Sequence, residues 1–109
     1  MLRPILSTRE MEWILVFIAA RGGGYAQEIA DLFDANYRSV QRQLERLEAG
    51  GVLQSKLYGR TRLYSFNPRY TFLKKLLPLV EEVKKFYPAE LVKKLDYNRR
   101  RPRRTGKPL

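Results

Sequence analysis

The sequence predicts a mainly α-helical domain that carries one small β-hairpin. Three observations support this class. Apolar residues recur at three and four spacing in several separate stretches. Two β-prone runs late in the chain are parted by Gly59-Arg60. Glycine, asparagine and proline clusters fall between these segments and not inside them, with Pro78 the exception. A length of 109 residues and a hydrophobic fraction of 44% suit one domain with tails, divided here into a body over 1–97 and a basic end over 98–109.

The elements follow in order. Ser7-Thr8-Arg9-Glu10 has the form of a capping box, with Ser7 as N-cap, opening a helix that runs to about Ala20 and stops at the glycines that follow Arg21. Met11, Ile14, Leu15 and Ile18 form its apolar stripe, widened by Trp13, Val16, Phe17 and Ala20. Either this helix is central, or its second face meets another subunit. A short helix spans about Ala26 to Phe33, and Asp34-Ala35 breaks it. Asn36 caps a longer helix that ends at Ala49 before Gly50-Gly51. Val40, Leu44 and Leu47 face its core side, leaving Tyr37, Arg38, Gln41, Arg42, Glu45 and Arg46 outside. Strands are expected over Val52 to Tyr58 and Thr61 to Phe66. A long final helix is expected from Tyr70 to Tyr87, kinked or divided by Pro78, with a further turn or two from Ala89 to Leu95. Its residues Leu73, Leu76, Val80 and Val83 have the period of a helix–helix seam.

Charge narrows the function. Lys and Arg number 22 against 11 acids, a formal charge of +11, and the chain holds no Cys and no His. Disulfides, thiolate metal sites and the commonest general base are thereby excluded, so neither an enzyme nor a cofactor or metal protein is expected. A polyanion is the expected partner. Six of the bases, Arg99, Arg100, Arg101, Arg103, Arg104 and Lys107, lie in the tail without an acid; 22 less these six leaves 16 against 11, or +5, for the body. The tail reads equally as a solvated end or as a nucleic-acid-binding arm. The longest apolar run, Trp13 to Ala20, is too short to span a bilayer, so no membrane partner and a cytoplasmic location are expected.

Short helix, tight turn, longer helix and hairpin, in that order, describe a winged helix-turn-helix. A major groove admits one helix, and the 36–49 helix has suitable chemistry on its open side. Arg38 and Arg42 suit guanine or phosphate, Gln41 suits adenine, Tyr37 and Ser39 suit phosphate, and Asn36 and Arg46 complete the face. Lys56, Tyr58, Arg60 and Arg62 give the hairpin a basic, aromatic tip for the backbone or the minor groove. By itself the arginine face would be an ordinary solvated one; the basic hairpin after it favours double-stranded DNA. The lysines at 74, 75, 84 and 85 alternate with Glu81 and Glu82 and read as a solvated face, and Asp31 and Asp34 read as capping residues and not a catalytic pair.

The runs Ala26-Gln27-Glu28-Ile29-Ala30-Asp31-Leu32-Phe33 and Ser39-Val40-Gln41-Arg42-Gln43-Leu44-Glu45-Arg46-Leu47-Glu48-Ala49-Gly50-Gly51-Val52 resemble the ArsR-like winged-helix repressors. Gly59 to Pro68 resembles the wing and exit of that family, above all of small members found alone or fused to nucleotidyltransferase domains. The resemblance covers about residues 10 to 87. It implies a recognition helix over Asn36 to Ala49, a wing tip over Tyr58 to Arg62, and a homodimer built by the first and last helices. Trp13 and Phe17 with Leu73, Leu76, Leu77, Val80 and Val83 are the residues expected at that interface. Metal sensing is not carried over, since its Cys and His ligands are missing, and Gln43 stands where the family has a His in the recognition helix. The resulting expectation is a dimeric, sequence-specific transcriptional repressor of prokaryotic type. A winged-helix adaptor that pairs with a separately encoded enzyme or toxin, and RNA binding driven by the tail, are the alternatives.

Overall fold

The computed structural model describes residues 6 and 8–96; the N-terminal residues before Leu6, Ser7 and the segment 97–109 lie outside the description, and with them the basic tail. Five helices and one two-stranded antiparallel sheet make up the described chain: α1 Arg9–Arg21, α2 Ala26–Phe33, α3 Tyr37–Ala49, β1 Leu53–Tyr58, β2 Thr61–Phe66, α4 Leu73–Lys84 and α5 Ala89–Asp96. None of these helices is long and apolar enough to cross a membrane.

α1 is the axis of the core. Ile14, Leu15, Val16, Phe17 and Ile18 are buried in succession, so the helix is enclosed on every side along this stretch. α2, α3, α4, α5 and β2 all pack on it. That accounts for its wide apolar face within a single chain. Thr8 is its N-cap, accepting from the Met11 N–H at 3.2 Å, one residue later than the capping box read from the sequence. Trp13 lies against Phe33 of α2, rings stacked 5.0 Å apart and 4° from parallel.

α2 ends at Asp34, whose left-handed backbone (φ 53°) redirects the chain into α3. The Asn36 side chain then accepts from the Ser39 N–H at 3.0 Å and opens α3. Val40, Leu44 and Leu47 turn inward. The strands pair from Leu53↔Phe66 to Tyr58↔Thr61, leaving Gly59 and Arg60 as a two-residue turn. Gly59 has φ 63° and Arg60 does not have a positive φ, the pattern of a type II′ turn. The hairpin is tied to the body at Tyr64, whose N–H and C=O both bond Gly24 at 2.9 Å. Gly24 is needed there: a Cβ would lie 2.7 Å from the Phe17 ring.

The C-terminal part departs from the expected long helix. Asn67 accepts from the Arg69 N–H and donates to the Gly51 carbonyl, each at 3.0 Å, so residues 67–72 form turns and α4 opens only at Leu73. Pro78 lies inside α4 and does not divide it. The helix closes at Lys84 in a tight turn through Phe86 and Tyr87, and α5 is a separate helix with Leu95 buried. Phe17, Val80 and Val83, expected at a subunit seam, are 0%, 1% and 5% exposed and belong to the chain's own core. The three–four period on α4 is therefore an α1–α4 seam inside one chain. Trp13, Leu73, Leu76 and Leu77 are half-buried.

Candidate functional site

The open side of α3 and the inner face of the hairpin meet across a cleft of about 360 Å³. Helical spacing divides the exposed side chains of α3 into two ridges. Tyr37, Gln41 and Glu45, four residues apart, form the wall nearer the hairpin and line the cleft. Arg38, Arg42 and Arg46, each one residue further round, form an exposed basic ridge beside it. Asn36 is occupied as the cap, and Ser39 lies half-buried behind it.

Strand alternation divides the hairpin in the same way. Leu57, Arg62 and Tyr64 point toward α3, and with Arg60 of the turn and Thr61 at the start of β2 they make the opposite wall. Lys56 and Tyr58 occupy the other face, where the Lys56 ammonium lies 5.9 Å from the Tyr58 ring centre. The four hairpin residues singled out from sequence are thus not one cluster: Arg60 and Arg62 join α3, while Lys56 and Tyr58 face away from it.

Arg62 is held in place. Its Nη1 donates to Ser55 Oγ at 3.0 Å, and Ser55 Oγ donates to Glu48 Oε2 at 2.7 Å, so a chain of hydrogen bonds joins hairpin to α3. Tyr64 forms the floor of the cleft and is almost wholly buried. Burial raises the pKa of its hydroxyl, nearby Glu48 and Glu45 add to the rise, and Arg62 opposes it. The first turn of α2 closes one end through Tyr25, Ala26 and Gln27.

No protein-family model matches the chain, and no curated protein or solved structure matches it. The site therefore rests on its own geometry. Two arginines, the Tyr37 hydroxyl, the Gln41 amide and the start of α2 offer donors on three sides, a set suited to anionic oxygens. Glu45 stands at one end of the α3 wall and repels an anion there. Gln43 takes no part: it is 4% exposed, and its Oε1 has no hydrogen-bond partner. Among the described residues no three His, Cys, Asp or Glu side chains come together as a metal site.

Tyr25, Gln27, Leu57 and Tyr64 were missed as cleft residues by sequence reasoning. Tyr64 carried one available signal, its shared strand face with Phe66, but that alternation marks only which side faces inward. Nothing local in the sequence brings Tyr25 to the hairpin; the Gly24–Tyr64 pairing does so.

Proposed function

We propose that this chain is a winged helix-turn-helix protein that binds double-stranded DNA and represses transcription by covering an operator. The observation that carries the reading is the convergence of the α3 ridges and Arg60–Arg62 on one side of the molecule. α3, 13 residues and therefore about 20 Å long, fits along a major groove. Arg38 and Arg42 reach base edges, with Gln41 beside them. The hairpin acts as the wing, and the strand of phosphates between the two grooves runs through the cleft, bonded by Arg60, Tyr37 and the start of α2. Glu45 keeps that strand toward the Tyr37–Gln41 end. The exposed residues of α3 supply discrimination of about 1–3 kcal/mol per bidentate base contact; the wing and the basic tail supply affinity without sequence preference.

The test is selection of bound sequences from a random duplex pool at low and moderate salt. Enrichment of one short motif at both salts is the expected result. Binding that disappears at moderate salt without any motif would overturn the sequence-specific reading, and no binding at either salt would overturn DNA binding altogether.

A further inference from the structure

One contact beside the cleft joins three elements, and only a hydroxyl can make it. Ser55 Oγ of β1 donates to Glu48 Oε2 of α3 at 2.7 Å and accepts from Arg62 Nη1 of β2 at 3.0 Å. The directions are forced. A carboxylate only accepts and a guanidinium only donates, so the atom between them must do both. The register explains the meeting: Ser55 pairs with Tyr64 and Leu57 with Arg62, which sets Ser55 and Arg62 diagonally on the α3-facing side of the hairpin. Ser55 and Glu48 are half-buried, whereas Arg62 is exposed along the cleft.

The bond to Ser55 uses only one end of the guanidinium. Arg62 makes no other hydrogen bond and no ion pair among the described residues. Its Nε and Nη2 therefore remain, as the edge that grips a phosphate with two parallel bonds. Glu48 lies on the far side of the hydroxyl, joined to Arg62 through it and not directly. We propose that Ser55 is a positioning residue, which presents Arg62 to a nucleic-acid phosphate and keeps it from closing on Glu48. The assignment rests on the DNA reading of the cleft and adds Arg62 to the groups that hold the phosphate strand. A long side chain anchored before binding loses less freedom when the phosphate arrives. Without the hydroxyl, nothing stands between the two opposite charges. The guanidinium then turns onto the Glu48 carboxylate with the same edge that would have met the phosphate. Such an exposed ion pair adds little stability, yet it removes one cation from the cleft.

The test has one arm without DNA and one with it. In the free chain, NMR relaxation should show the Arg62 Nε–H to be more ordered than those of Arg38 and Arg42, which are exposed and make no hydrogen bond among the described residues. An Arg62 as mobile as these two overturns the proposal, whatever the chain binds. With duplex DNA, Ser55→Ala should weaken binding by roughly three- to tenfold. It should also lower the slope of log affinity against log salt by about 0.9, one phosphate contact, while the selected motif stays the same. Ser55→Thr keeps the hydroxyl on a side chain that suits a strand, and should restore both affinity and slope. A cycle with Glu48→Gln separates positioning from a loss of packing. The amide carries no charge to draw Arg62 away, so Glu48→Gln should raise affinity more in the Ser55→Ala chain than in the native one. Equal gains in the two backgrounds overturn the proposal, as does an unchanged salt slope in Ser55→Ala. An ordered Arg62 in a chain that binds no duplex overturns the DNA reading, and the phosphate role of Arg62 with it. A mobile Arg62 in a chain that does bind duplex overturns the role of Ser55 alone.

Discussion

At the scale of single residues, the most constrained position is one without a side chain. Gly24 pairs with Tyr64 while its Cα passes the Phe17 ring, so any Cβ meets a side chain locked at the centre of the core. Gly24→Ala should lower the unfolding free energy by about 1–3 kcal/mol, read as a lower urea midpoint with an unchanged slope. A second sensitive point lies at the opposite end of α1. The Tyr87 hydroxyl donates to Glu12 Oε2 at 2.6 Å, and Glu12 is buried. Burial, then this hydrogen bond and the charge on Glu12, raise the Tyr87 pKa above the usual value for tyrosine. The folded chain therefore keeps a proton that the unfolded chain releases near pH 10. The associated stability is complete below that pH and falls as pH rises through it. Tyr87→Phe should cost about 1–3 kcal/mol at neutral pH, and thermal melts from pH 8 to 11 should show a shallower alkaline decline in the variant.

Whole elements carry the functional contrast. Arg38 and Arg42 lie on the ridge of α3 proposed to reach bases, so changing either to Ala should relax the selected motif at one or two positions. Arg60→Ala should weaken binding evenly across sequences. Lys56→Ala, on the far face of the hairpin, should change affinity less than Arg60→Ala; titrations of each variant with the selected duplex and an unrelated one will separate these effects. The bounds of α2, α3 and β2 could be read in advance because each is set by local chemistry: Asn36 and Gly50 for α3, Gly59 and Asn67 for β2. Even the inward face of α3 follows from Val40, Leu44 and Leu47. α4 was harder. Its three–four period correctly signals a seam, but periodicity does not say whether the facing helix belongs to the same chain.

Across the whole molecule, the positive charge divides into a body of +5 and six further bases in the tail. If the tail neutralises phosphates, each contact adds about 0.9 to the slope of log affinity against log salt. Removing residues 98–109 should therefore weaken binding to every duplex and lower that slope by up to about 5. An unchanged slope would remove the tail from the mechanism. The long-range order of the chain was the least legible part of the fold. Arg21 donates to the carbonyls of Lys94 and Leu95 at 2.8 and 3.2 Å, and Tyr87 reaches Glu12, so residues more than 70 positions apart close the bundle. No spacing rule connects them; only the enclosure of α1 does.

The stacking of Trp13 on Phe33 has an optical consequence. Trp13 is the only tryptophan in the chain, so intrinsic indole emission comes from one place, the contact between α1 and α2. It does not line the cleft. Its fluorescence should therefore register loss of the fold while staying silent on binding at α3, giving each variant above an internal standard for the folded fraction in the same cuvette.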